Sequence, residues 1–452
     1  MKKRYRLLAL VLLALTLLGT VLPVSAASST ADIDPVLALE NYLEVFFYVD
    51  DHGFGRLNNM PSNGFWTDAE VLELFIDAYE RVGDKKYLEV AEQFYKGIIQ
   101  RRGKSWSWNE YNDDVFWMCL ATARLAKHTG DKEQINLAKL NWNMCFSRAW
   151  DTEYYGGGLW WKQNAEVMSK NGCVNGPGAM SALAIYELTG EKKYLDHAIE
   201  IVDWMCGKLL TPTGRFLDNI DINGKINEWT NTGNQGNVIG PCTTLYKLTG
   251  DGKYRQWATA AANHALTLDL WNEGGNSGDT IGGKGLLARQ LGYFYRECEG
   301  INSNTKRNIR VKMLQVAKDA WNNQNSQGII WGTLKNKTVE DLLTNNTPLD
   351  SSNPNTTLSS HASWGCSAAV SWFLQTPGLL PIDNKPADTT AAPSTTAKPE
   401  EDLTPEEPQE PGFPVAGFFT PIVVAVVLSV SGVLLVGGGT VAVILILRKK
   451  KK

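Results

Sequence analysis

Asp113 and Asp114 stand side by side in the segment SWSWNEYNDDVFW, residues 105–117. Two carboxyl groups held close together are the minimum equipment for cleaving a glycosidic bond. A gap of about 5–5.5 Å between them implies retention at the anomeric carbon, and a wider gap implies inversion. Inside a helix, consecutive side chains point roughly 100° apart. At a helix entry, where the backbone is not yet helical, both can face one cavity. Apolar crowding and mutual repulsion would raise one pKa to make an acid, while the other stays ionised. The bland alternative is an N-cap pair that stabilises its helix by about 1 kcal/mol. Trp106, Trp108, Tyr111, Phe116 and Trp117 crowd the pair, and flat apolar rings suit sugar faces, so the chemical reading is preferred.

Other chemistries find no support. His52, His128, His197, His264 and His361 are dispersed, and the chain carries no HExxH, EF-hand loop, P-loop or serine nucleophile elbow. Neither a metal nor a cofactor is expected. Candidate sugar contacts lie elsewhere. Trp160 and Trp161 suit stacking on a sugar, or a buried turn. Asn234, Gln235 and Lys284 can bond sugar hydroxyls, or cap loops. Trp66, beside Phe65, suits a cleft rim, and Asp279 suits a groove wall or an N-cap.

A repeat supplies the elements that must position these residues. AYERVGDKKYLEVA begins at Ala78, ARLAKHTGDKEQINLA at Ala123, IYELTGEKKYLDHA at Ile185 and LYKLTGDGKYRQWA at Leu245. Each reads as a helix end, a glycine C-cap, an acidic residue and a new helix. The marker glycines are Gly83, Gly130, Gly190 and Gly250, with a weaker fifth copy ending at Gly300. The helices before each glycine are apolar or small on every side, as in GAMSALAIYEL, which implies burial all round. The helices after it are amphipathic. A sixth inner helix is expected at 361–375, and its outer partner at 34–50. The expected fold is therefore all-α, an (α/α)6 toroid of six helical hairpins, with the groove lined by loops entering the inner helices. An open α-solenoid is the alternative, disfavoured by unequal repeat spacing.

Both ends carry membrane signals. Residues 1–26 read as a signal peptide, with Lys2, Lys3, Arg4 and Arg6 before an apolar run; an uncleaved anchor is the alternative. The globule is expected over 27–382, a Pro/Thr/Glu-rich stalk over 383–414 and a transmembrane helix over 415–447, where no charged residue occurs. The basic tail 448–452 would stay inside, leaving the globule extracellular at the cell membrane, with the bilayer as a partner. The chain has 452 residues and a net charge of −4. Setting aside the four basic residues of the leader and the five of the tail leaves −13 over 27–447, which excludes a nucleic-acid partner. Seven scattered cysteines without a CxxC read mainly as buried thiols, with one or two disulfides as the alternative.

From about residue 35 to 376 the sequence resembles glycoside hydrolase family 76, the bacterial endo-α-1,6-mannanases. The resemblance rests on Asp113 and Asp114 before Trp117, on GGLWW at 157–161, and on KNGCVNGPGAMSALAIYELTGE. It rests also on GNQG around Asn234, with Gly233 in place of Tyr, and on GKGLLARQL, with Gly283 in place of Phe before Lys284. The resemblance implies a monomeric, retaining endo-α-1,6-mannanase acting on α-mannan through a covalent mannosyl-enzyme. Asp113 would be the nucleophile and Asp114 the acid/base. Three other expectations remain open: a mannan transglycosidase, a surface glycan-binding protein without catalysis, and a structural helical scaffold.

Overall fold

The computed structural model describes residues 33–384 except 62–63, 270–277 and 351–352, together with two short strands nearer the C-terminus. Among these residues twelve α-helices form five sequential hairpins and a closing pair. The inner helices are α2 (Phe65–Val82), α4 (Asn112–Thr129), α6 (Gly172–Thr189), α8 (Thr232–Thr249), α10 (Gly278–Glu297) and α12 (Ala362–Gln375). The outer helices are α1 (Pro35–Phe46), α3 (Lys85–Arg102), α5 (Lys132–Ala149), α7 (Lys192–Leu209), α9 (Gly252–Ala265) and α11 (Ser303–Trp321). Each inner helix packs on the next, and α12 returns to pack on α1 and α2, so the ring closes and the solenoid alternative fails.

The repeat works at the residue level as its sequence implies. Gly83, Gly130, Gly190 and Gly250 all adopt left-handed backbone, with φ of 83°, 68°, 68° and 71°. Each donates its N–H four residues back, closing the inner helix. Asp84, Asp131 and Asp251 then accept the N–H two residues on, opening the outer helix. A left-handed turn followed at once by an N-cap reverses the chain within two residues. The inner helices therefore all run the same way, with N-termini at one mouth of the ring and C-termini at the other.

Burial explains why poor helix formers persist in the inner ring. Pro177 lies inside α6 and Pro241 inside α8, both buried, so packing overrides local propensity there. Across the axis, Arg289 of α10 meets Glu70, Glu73 and Asp77 of α2 at 3.0, 2.8 and 2.6 Å. Arg124 of α4 meets Glu73, Asp77 and Glu80 at 3.3, 2.8 and 2.8 Å. Such a buried network fixes helix register more than it adds stability.

The loops at the N-terminal mouth form small sheets. β1 (Phe47–Val49) pairs with β2 (Gly55–Leu57), so the outer helix expected through residue 50 ends at Phe46. Phe47, Tyr48 and Val49 are strong strand formers and find a partner there. β3 (Ser169–Asn171), β4 (Asn219–Asp221) and β5 (Ile226–Asn227) form an antiparallel sheet beside the entries to α6 and α8. β6 (Pro348–Asp350) pairs with β7 (Asn353–Thr357) ahead of α12.

A second unit comprises residues 389–452. Within 415–447, expected as a transmembrane helix, the described residues are β8 (Ala425–Val427) and β9 (Leu434–Val436), which pair antiparallel. Valine-rich runs separated by a Ser-Gly step suit a strand pair. Among the described residues no helix is long and apolar enough to cross a membrane. The leader, the rest of that segment, the stalk beyond residue 384 and the basic tail lie outside the described residues.

Candidate active site

Asp113 and Asp114 occupy the first turn of α4, at the N-terminal mouth. The turn is pinned from below. Asn112 is fully buried, donates Nδ2 to the Trp160 carbonyl at 2.8 Å and accepts from Arg148 Nε at 2.7 Å. Arg148 also donates to the carbonyl of Asn109 at 2.7 Å. Asn109 Nδ2 in turn donates to Asp114 Oδ2 at 2.9 Å. The second carboxylate is thus held by the loop that precedes its own helix.

Asp113 is held from the other side. Trp161 Nε1 donates to Asp113 Oδ2 at 2.9 Å. Asp113 Oδ1 is enclosed with no partner in hydrogen-bonding geometry, although the Cys173 thiol and the Asp114 backbone N–H lie near enough to favour its charge. Burial, reinforced by the neighbouring Asp114 charge, pushes Asp113 well above the usual carboxylate range. Asp113 therefore holds its proton at pH values where a free carboxyl would be ionised.

The turn 156–161 presents Trp161. Gly157 and Gly158 have φ of 145° and 92°, and a Cβ on Gly158 would lie 2.6 Å from the Trp204 ring. Only glycine fits there. Lys170, fully buried, ties the same loop down with bonds to Asp151, Tyr154 and Gly157. Trp160 is buried, its ring covered by the Lys170 ammonium at 4.6 Å. It is part of the turn's foundation, whereas Trp161 is half-buried and touches the carboxylate pair.

The other expected contacts divide. Asn234, in the first turn of α8, donates to Asp218 Oδ1 at 3.0 Å. Asp218 also accepts from Asn219 at 2.6 Å and Asn227 at 3.1 Å. Burial pushes the Cys173 thiol well up, and the charges of Asp113, Asp218 and Asp114 raise it further. Asp218 escaped the sequence reading. Its only signal was the Asn223-Gly224 hairpin turn leading into an inner helix.

Gln235 does not face the mouth: it is fully buried, accepts from Phe216 N at 2.9 Å and donates to Gly214 O at 3.1 Å. Lys284 is fully buried and donates to Gly332 O at 3.1 Å. Both long polar side chains reach inward to satisfy loop backbone, because a buried carbonyl or N–H must find a partner. Trp117, one turn inside α4, is 4% exposed and packs in the core. Trp66 is half-buried at the start of α2, its ring 4.8 Å from Trp364. Asp279 lies in the first turn of α10, and its side chain is outside the described atoms. Two exposed rings flank the mouth loops: Trp108, before α4, and Trp229, after β5 and before α8.

Among the described residues no cluster of metal-ligating side chains occurs. The seven cysteines are thiols; the Cys206 and Cys242 sulfurs lie 3.7 Å apart without a bond. A cavity of about 1010 Å³ opens at the opposite mouth, away from the aspartates. The aspartate mouth is identified by its charges and their partners, and the volume of the other end says nothing against it.

The sequence profile of glycosyl hydrolase family 76 matches residues 39–351. The chain belongs to that family. Among solved family 76 structures, the α-1,6-mannanase of a Salegentibacter strain aligns at 27% identity and a TM-score of 0.62, covering 75% of this chain and 98% of that one. An inactive variant of the same mannanase, with two adjacent aspartates changed to asparagine, has been solved in complex with α-1,6-mannotriose. The mannan endo-1,6-α-mannosidase DCW1 of Candida glabrata is 25% identical over 275 residues, 54% of this chain and 60% of its own. DCW1 of Saccharomyces cerevisiae is 31% identical over 159 residues, 32% of this chain and 35% of its own. The family 76 chain thus spans between a third and three fifths of these curated relatives.

Proposed function

We propose that this family 76 protein is a retaining endo-α-1,6-mannanase. The observation that carries the reading is the Asp113–Asp114 pair: two adjacent carboxyls at an inner-helix entry, each held by a separate donor, Trp161 and Asn109. The Salegentibacter mannanase supports it, since its inactive variant alters two adjacent aspartates and holds an α-1,6-linked oligosaccharide. Asp113 attacks the anomeric carbon while Asp114 protonates the departing glycosidic oxygen. Asp114, now ionised, takes a proton from water, and the water cleaves the mannosyl ester. Productive attack needs Asp113 ionised and a proton on Asp114. The Trp161 N–H favours the ionised Asp113 that this requires, and the positive charge developing on the sugar favours it further.

Asp218 and Asn234 stand where they can meet sugar hydroxyls beside the pair, and the exposed rings of Trp108 and Trp229 suit stacking further along the chain. The same chemistry with a sugar hydroxyl in place of water would make a transglycosidase. We place the enzyme outside the cell, on the strength of the leader-like residues 1–26, and at the membrane, on the uncharged segment 415–447 followed by a basic tail.

The reading is tested by incubating the protein with linear α-1,6-mannan, with and without an acceptor glycan, and measuring reducing ends and product masses. New reducing ends without acceptor support the hydrolase. Elongated acceptor with few new reducing ends supports transfer. Mannan binding without bond cleavage overturns the catalytic reading.

A further inference from the structure

The inner ring encloses a second space, at the mouth where the inner helices end. It measures about 1010 Å³ and is walled by the C-terminal halves of α2, α4, α6, α8 and α10 with the end of α12. Leu120, Met180 and Leu183 form apolar floor, and Tyr293 and Tyr295 stand in the wall. The remaining wall is charged, with eight Lys and Arg against six Asp and Glu. A positive excess is notable in a chain that is acidic as a whole.

Most of these charges are matched. Arg81 pairs with Asp383, and Lys247 with Glu297. Arg124 and Arg289 take Glu73, Asp77 and Glu80. Among the described residues Lys127, Arg296, Lys306 and Arg310 form no ion pair, and Glu187 is the one wall carboxylate without one. Helix C-termini favour cations nearby, which accounts for Lys127 in the last turn of α4. That reason fails for Lys306, near the N-terminus of α11 where helix polarity disfavours a cation, and for Arg310, one turn further along the same helix. Lys306 Nζ sits 5.6 Å over the Tyr295 ring. Arg296, which lines the same cavity, donates Nη2 to Gln375 at 2.7 Å, while its Nη1 is buried without a partner.

We propose that this rear cavity binds a saccharide bearing a phosphate ester, with Arg296, Lys306 and Arg310 as the phosphate seat and Tyr293 and Tyr295 beside the sugar ring. A tetrahedral dianion satisfies several spare cations at once, and guanidinium groups match its oxygens. The tyrosine rings supply the apolar face and hydroxyls that a bare anion would not need. The volume is that of a small-molecule site. This site is separate from the aspartate cleft and does not depend on the activity proposed there.

The test is calorimetric titration of the full chain carrying D113N and D114N, so that the cleft is chemically silent. Mannose 6-phosphate, mannose and inorganic phosphate are the probes. The expected result is saturable binding of mannose 6-phosphate, at least tenfold tighter than either other probe and weakened by salt. K306E with R310E, both outside the core, should weaken it at least tenfold while mannan cleavage by the otherwise unaltered chain is unchanged. No saturable binding overturns the proposal, and so does binding indifferent to the charge reversal. Equal affinity for inorganic phosphate would mean an adventitious ion only, and overturns it too.

Discussion

Asp113 is destabilised by the same burial that makes it useful. Its folded pKa lies above its unfolded value, so its contribution to stability is fully present below the ordinary carboxylate range. That contribution is lost as pH rises through the folded value. D113N removes the burial of the charge and should raise the melting temperature at neutral pH by about 1–3 °C. In acid, where Asp113 is protonated in both states, the difference should vanish. Thermal melts across pH check this; an unchanged or lower melting temperature at neutral pH would contradict it. Trp161 acts in the opposite sense, since its N–H favours the ionised carboxylate. W161F should therefore shift the acid limb of the kcat/KM profile to higher pH and reduce the rate on that limb about tenfold, the scale of one hydrogen bond to a charged group. A uniform loss across pH would mean that Trp161 only packs. At this scale the position of the aspartates at an inner-helix entry was legible, because the residues that follow them are apolar or small on every side. Gln235 and Lys284 were not. An amide or an ammonium reads the same in sequence whether it meets a sugar or satisfies a buried carbonyl 21 or 48 residues away.

At the scale of elements, the four capping glycines were legible because only glycine adopts left-handed backbone without strain. They also separate stability from activity. A Cβ on Gly130 meets nothing within 4 Å, so G130A carries only the backbone term, about 1 kcal/mol. Its melting temperature should fall slightly with kcat unchanged. A Cβ on Gly158 collides with Trp204 and should push the turn that presents Trp161 out of place. G158A should lower kcat more than tenfold, even in preparations that remain folded by circular dichroism. Equal activity in the two variants would remove the turn from the account. Asp218 was hidden at this scale because its amide partners come from three places, and although β4–β5 is a local hairpin, its pairing with β3 joins residues about fifty apart that no local pattern encodes. The strand β1 was missed likewise, its partner lying across a turn from the helix it seemed to continue.

For the whole molecule, ring closure was legible from the count of hairpins, while the axial network was not. Arg289 reaches carboxylates of α2 across the ring, up to 219 residues away, while Arg124 meets them from the neighbouring α4. Glu70 within it is pushed up to about 7 by burial. Its folded pKa is raised, so its contribution is present below about pH 4.3, the unfolded value, and is lost as pH rises through about 7. E70Q should therefore gain stability relative to the parent at pH 8 and little at pH 4. R289M leaves Glu70 without its cation and Glu73 and Asp77 with Arg124 alone, and should cost about 3–5 kcal/mol, measured by denaturant unfolding. A neutral R289M would mean that water already relieves the network.

The predictions of activity rest on one claim, the proposal that Asp113 and Asp114 together cleave an α-1,6-mannosidic bond. The direct test is the initial rate of reducing-end release from linear α-1,6-mannan by the parent, D113N and D114N, with proton NMR of the first-formed product. The account predicts release by the parent with the α-anomer appearing first, and a loss of at least a thousandfold, about 4 kcal/mol of transition-state stabilisation, in each variant. Release that survives either substitution, or a β-anomer formed first, would contradict it.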